Sequence, residues 1–482
     1  MSIKPENRQE PFTHDSSSVT FIDTHCHLEM NAFDPDRELV IQRAKDAGIE
    51  AVITIGSDMK GNTGGLELSG RNDFIYASVG IHPHDAKDCT DDVFDQIRKW
   101  AKEFRTQGFA PMSSKVVAIG ETGLDYHYDH SPRDVQQEVF RRHLALAYET
   151  SLPVIVHSRE AVKDTLDIIR ESGVRKGVLH CFSGDRDMAK EAMAMGFFIS
   201  IAGPVTFKKA KGLHETAKTI PDEFLLIETD APYLAPEPFR GRRNEPSWLI
   251  HTARMLAQLR GITEVDLARI TTLNAKQLFG IGTLPETGEI AYKIRDSLYL
   301  NVTNRCTNRC TFCVRFHSDY VKGHKLRLIS EPSEEQLIHA IGDPLQYHEI
   351  VFCGYGEPLL RLDTVKNVAR WIKQRGGRVR VNTNGQGNLI HGRNILPELE
   401  GLVDSISISL NAHDAETYNK ICKPSYPEAF EAVTGFIRNS KKVIPEVSIT
   451  VVTVEDVDME KCRKIAEESE AGFRVRRLDV VG

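Results

Sequence analysis

Three cysteines, Cys306, Cys310 and Cys313, stand in the run Cys-Thr-Asn-Arg-Cys-Thr-Phe-Cys. Three thiolates on so short a loop can hold a [4Fe–4S] cluster while leaving one iron open to an external ligand. A zinc ion is the competing chemistry; it needs a fourth ligand, and Cys353 and His317 keep that option open. Far upstream lie His25, His27, Glu121, His157, His180 and Asp230. Imidazoles and carboxylates of this kind suit divalent cations, and paired cations serve hydrolysis. His25 and His27, two residues apart at the end of an apolar run, fall on one face of a strand.

Such distant side chains can converge only if a regular scaffold gathers them. Eight strand-like runs, at 20–27, 51–56, 75–82, 116–121, 153–157, 177–181, 197–201 and 224–230, alternate with amphipathic stretches such as 37–47, 135–150 and 161–172. That alternation predicts parallel strands with helical crossovers, and eight repeats predict a closed (β/α)8 TIM barrel. The polar residues cluster at the C-terminal ends of the runs, the catalytic face of such a barrel. A second series, at 297–303, 349–353, 378–382, 404–410, 446–452 and 473–480, has six members and predicts an open, partial (β/α)6 barrel. The α/β chain thus divides into a tail at 1–18, a first barrel at 19–280, a linker at 281–293 and a second barrel at 294–482.

Composition limits the partners. The 482 residues carry a net charge of −7, with 40% hydrophobic and 27% charged residues, as expected of globular domains with sizeable cores. No run of eighteen apolar residues predicts a membrane span, and the polar start lacks the apolar stretch of a secretory signal. A cytoplasmic location is expected, and with it thiolate–metal ligation rather than a disulfide framework for the nine cysteines. Of 61 Lys and Arg and 68 Asp and Glu, 27 and 25 lie from Ala291 onward, leaving 34 and 43 in the first part. That acidic first part is no general trap for nucleic acid. Phosphate would have to be drawn there by bound cations and a few arginines. His82 and Arg159, near neighbouring strand ends, are the candidates for phosphate contact, and Asp125 for orienting a ligating histidine. Arg240, Arg242 and Arg243 would bias the mouth towards anions.

The runs Asp-Thr-His25-Cys-His27-Leu, Gly80-Ile-His82-Pro-His84, Ile119-Gly-Glu121-Thr-Gly-Leu-Asp-Tyr, Val156-His157-Ser-Arg159, Leu179-His180-Cys-Phe-Ser-Gly and Glu228-Thr-Asp230-Ala-Pro-Tyr resemble TatD-type metal-dependent hydrolases of the amidohydrolase superfamily. The resemblance implies one ion on His25, His27, Glu121 and Asp230, and a second on Glu121, His157 and His180. Glu121 would bridge the two, and Asp230 would double as general base. It also implies Mg²⁺-dependent DNase activity on a nucleic acid or nucleotide, although imidazole-rich sites suit Zn²⁺ or Mn²⁺ better than Mg²⁺. Amide or ester hydrolysis, as in other amidohydrolase-type barrels, is the alternative. Residues 295–482 resemble the radical S-adenosylmethionine superfamily, with Phe312 before the last cysteine as in that cluster motif. This second resemblance implies S-adenosylmethionine contacts at Gly354, Gly356 and Glu357, and at Asn384, Ser409 and Asn411. It further implies an electron donor for the cluster, and it leaves room for a partner protein or peptide as substrate. The whole chain resembles a TatD-linked radical SAM protein, either bifunctional or with one half as a scaffold.

Overall fold

A computed structural model describes residues 20–103 and 115–478, so the expected tail at 1–18 and the end of the run at 473–480 lie outside the described residues. The chain divides into two compact units, one of Met1–Ile220 with Phe224–Gly282, the other of Pro221–Glu223 with Thr283–Gly482. No helix among the described residues is long and apolar enough to cross a membrane.

In the first unit, eight strands follow one another in chain order around a single parallel sheet. They are β1 (Phe21–Cys26), β2 (Ile49–Thr54), β3 (Ile75–Val79), β4 (Val116–Asp125), β5 (Val154–Arg159), β6 (Gly177–Leu179), β7 (Phe197–Ile201) and β8 (Leu225–Ile227). The barrel closes just beyond the end of β8, where the Asp230 amide donates to the His25 carbonyl (2.9 Å) and the His27 amide to that of Ala231 (2.7 Å). Closure and the candidate metal ligands therefore share one seam. Alternation splits each strand between two cores. Ile22, Ile53, Ile155, Val178 and Leu226 fill the lumen and meet Leu278 and Phe279 of the last helix. Val52, Val79, Val154 and Val156 face the outer helices through Leu66, Phe140 and Leu166. That last helix, Glu264–Phe279, starts at Thr263, whose hydroxyl accepts the Asp266 amide, and stops at Gly280 in the left-handed region.

The second unit is a seven-stranded sheet. Six parallel strands, β10 (Ser297–Leu300), β13 (Ile350–Phe352), β14 (Val379–Thr383), β15 (Ser405–Ser409), β16 (Glu446–Val452) and β17 (Gly472–Arg476), lie side by side in chain order. A seventh, β9 (Ala291–Ile294), pairs antiparallel with β10 on the edge. The last residues of the expected linker thus belong to the sheet, because Tyr292 packs into a small core with Leu326 and Tyr355. A two-stranded hairpin, β11 (Tyr320–Val321) and β12 (His324–Lys325), follows the cysteine loop. The strand sequences explain why one face of the sheet stays polar. In Val-Arg-Val-Asn-Thr and Ser-Ile-Ser-Ile-Ser, the apolar residues turn to the helices and the polar ones to the opposite face.

Candidate functional site

Two histidines of the first barrel arrive by simple register. His157 lies two residues beyond the lumen residue Ile155, and His180 two beyond Val178, so both point into the top of the barrel. Glu121 arrives differently. The pairing of β4 with β5 shifts register between Ile119 and Thr122, and Gly120 and Gly123 on either side have φ of +128° and +138°. A Cβ at Gly123 would overlap the His157 carbonyl oxygen. Gly123→Ala is therefore expected to destabilise the fold by about 1–3 kcal/mol, read as a fall in Tm together with weaker metal binding.

Glu121 stands between two sets of imidazoles. Its Oε2 is 3.5 Å from His25 Nε2 and 3.9 Å from His27 Nε2. Its Oε1 is 3.5 Å from His82, 3.0 Å from His157 and 2.6 Å from His180. Asp230 Oδ1 lies 3.6 and 3.7 Å from His25 and His27. Ligands at about 2.1 Å from one ion sit about 3.0–3.4 Å from each other, so these spacings fit cations in both sets. Buried orphan atoms point the same way: neither ring nitrogen of His25 has a hydrogen-bond partner. Burial, with His180 stacked 4.0 Å away, pushes the His25 pKa down and keeps the imidazole in its neutral, ligating form. Burial alone would raise the Glu121 pKa, but His180, His82 and His157 hold it well below the usual carboxylate range.

Three of the histidines turn their other nitrogen towards a carboxylate. His157 Nε2 is 3.2 Å from Asp125 Oδ2, His180 Nδ1 is 3.4 Å from Glu228 Oε1, and His27 Nδ1 is 3.5 Å from Glu29 Oε1. Such pairs fix the ring and strengthen it as a ligand. Asp125 was expected in this role; Glu29 and Glu228 were not, because both lie beyond the ends of β1 and β8, where strand alternation no longer fixes direction. Asp125 Oδ1 also accepts the His127 and Tyr128 amides (3.0 and 2.9 Å). Asp125→Asn keeps an acceptor for those amides while weakening the pull on His157. It is expected to cost about 10–100-fold in affinity for one of two metal ions, measured by competitive metal titration.

The expected phosphate contacts separate. His82 stands at ligand distance from Glu121 and His157 rather than outside the cluster. Arg159 lies at the rim with its guanidinium 4.7 Å from the centre of the Tyr128 ring. Of the three loop arginines, Arg243 is paired with Asp36 (2.7 Å) and so is neutralised. Arg240 and Arg242 stay exposed over Phe207 and Phe239.

The second unit brings its candidates to one cavity of about 280 Å³. Cys306, Cys310, Cys313 and Phe312 line it together with Gly354, Gly356, Glu357, Asn384, Ser409 and Asn411. A Cβ on Gly356 would meet the carbonyl oxygens of Thr303 (2.5 Å) and Arg305, so glycine there lets the turn after β13 close on the cysteine loop. Arg315 ties that loop, donating to the Asn304 and Asn308 carbonyls (2.9 and 2.8 Å) and to Cys313 Sγ (3.4 Å). Glu357 accepts from the Asn384 amide (2.7 Å), the Thr383 hydroxyl (2.8 Å) and the Leu359 amide (3.0 Å), which shapes the end of β14. Burial raises its pKa to about 7. Among the described residues, every group of three or more ligand atoms within 4.8 Å of one another belongs to the first barrel. One zinc ion would draw its thiolates to about 3.8 Å, so the three cysteines fit a cluster better. His317 is exposed, while Cys353 lines the same cavity.

Residues 22–280 match the model of the TatD related DNase family, and residues 300–468 that of the Radical SAM superfamily. The chain belongs to the TatD family of metal-dependent hydrolases, and its hydrolase domain is followed by a radical SAM domain. It is 47% identical over 261 residues to the uncharacterized metal-dependent hydrolase YabD of Bacillus subtilis strain 168, covering 54% of this chain and 98% of the relative. It is 35% identical over 267 residues to the 3′-5′ ssDNA/RNA exonuclease TatD of Erwinia tasmaniensis, covering 54% of this chain and 99% of that protein. The crystal structure of YjjV, a TatD homologue from Escherichia coli K12, superposes with a TM-score of 0.51 at 30% identity, covering 54% of this chain and 98% of that one. The two families imply divalent cations in the first unit and an iron–sulfur cluster with S-adenosylmethionine in the second.

Proposed function

We propose that the chain is a bifunctional enzyme, a two-metal phosphoesterase of DNase type joined to a [4Fe–4S] radical S-adenosylmethionine enzyme. The observation that carries the first half is the split of Glu121, with one carboxylate oxygen facing His25 and His27 and the other facing His82, His157 and His180. His25, His27 and Asp230 would hold one cation, His157 and His180 the other, and Glu121 both. Two bound cations lower the pKa of a water and neutralise charge on a phosphoryl oxygen. Although burial opposes it, His27 and His25 keep Asp230 ionised, and so able to take a proton from water at one of its oxygens. The donor set favours Zn²⁺ or Mn²⁺ over Mg²⁺. A nucleic acid end is the favoured substrate, in keeping with the Erwinia relative named for single-stranded DNA and RNA. Exposed Tyr233 would supply a ring face for an unpaired base.

For the second half, Cys306, Cys310 and Cys313 would hold the cluster, and Gly354–Glu357 with Asn384, Ser409 and Asn411 the cofactor. Bound together, and given one electron from a donor protein, these groups supply a 5′-deoxyadenosyl radical. The chain's part is to position the cofactor and to keep water from the cavity. Anaerobically reconstituted protein tests the whole reading. It is expected to bind about four irons and to release 5′-deoxyadenosine under dithionite, and with added divalent metal to hydrolyse a phosphodiester. S-adenosylmethionine left intact would defeat the radical half, and an inert phosphodiester the hydrolytic half.

A further inference from the structure

The arginines on the open face of the second sheet are neutralised unequally. Arg380 of β14, Arg474 and Arg476 of β17, and Arg477 just beyond it line the cavity. The lining carboxylate, Glu357, is committed to Thr383, Leu359 and Asn384. Arg380 pairs with Glu349 (3.0 Å) and donates to the Tyr299 hydroxyl (3.1 Å). Arg476 has no carboxylate partner among the described residues, and its Nε is buried with no hydrogen-bond partner, as is that of Arg380. Arg380 and Arg476 line one cavity together with Tyr299, although β14 and β17 are three strands apart. Burial, and then neighbouring Arg474, pushes the Arg476 pKa down. A partly buried cation without a counter-charge costs folding free energy, and an arriving oxyanion would offset that cost with two-pronged hydrogen bonds. Arg380 is also four residues before Asn384 on one strand, about 13 Å deeper at 3.3 Å per residue. Arg476, in contrast, pairs with Val452, whose amide donates to Asn411 (3.3 Å), so it enters the cavity level with an expected cofactor contact.

We propose that this lumen binds the radical substrate through an oxyanion, a carboxylate or a phosphate group, received by Arg476. The inference rests on the radical S-adenosylmethionine reading of the same cavity.

The test uses the full chain carrying Glu121→Ala, which weakens cation binding in the first barrel and so its hold on the probe. After anaerobic reconstitution and saturation with S-adenosylmethionine, it is titrated calorimetrically with inorganic phosphate and, separately, with malonate. One saturable site for at least one of the two is expected, at least tenfold weaker in Arg476→Gln and intermediate in Arg476→Lys, with less than a threefold change in S-adenosylmethionine affinity. Preference for phosphate assigns a phosphorylated substrate, and preference for malonate a carboxylate. Equal binding by the parent and Arg476→Gln would overturn the proposal. So would a parallel loss of S-adenosylmethionine affinity, since the guanidinium would then serve the cofactor. Iron content and 5′-deoxyadenosine release are read on the same samples. Their failure would strike the radical reading itself, whereas a missing anion site in active protein would strike this inference alone.

Discussion

Glu121→Ala is expected to lower metal-dependent phosphodiesterase turnover by about a thousandfold or more, equivalent to roughly 4 kcal/mol. The size follows from the position of the carboxylate. Its two oxygens face different sets of imidazoles, so its loss removes a ligand from both cations and lets the like charges repel. His157 would remain in place, because Asp125 still holds it from behind. Metal analysis should accordingly show the bound equivalents falling from about two towards one or none while the thermal transition moves little. Turnover near that of the parent would refute the bridging role.

Cys313→Ala is expected to reduce iron from about four atoms per chain to less than one, and to end the release of 5′-deoxyadenosine. The remaining thiols cannot close a cluster, and Arg315, which donates to Cys313 Sγ, loses its anchor there. Phosphodiesterase turnover on the same sample serves as the control for folding, because its ligands all lie in the first barrel. Retention of a four-iron absorption spectrum in this variant would mean that another group, such as Cys353 of the same cavity or Cys422 beside Cys310, ligates the cluster.

Much of this molecule was legible in its residues. Strand periodicity revealed both barrels, because burying an apolar strand on a helix layer requires a regular alternation that composition cannot hide. His157 and His180 could be placed on one face because each falls at the C-terminal end of a strand-like run. The cysteine spacing likewise announced a shared ligand before any fold was known. Other features needed the tertiary structure. The edge strand β9 was read as linker, since four residues with one buried aromatic carry too little pattern to mark a strand. His82 was taken for a phosphate contact, and only the packed barrel shows its ring 3.5 Å from Glu121. The pairing of Arg243 with Asp36 removed one expected anion contact, because side chains more than 200 residues apart meet only once β8 has closed against β1. Glu228 stayed unnoticed for the same reason, since it meets His180 from another strand end. A carboxylate behind a histidine is defined by direction in space, and sequence states the neighbours along the chain but not those across the sheet.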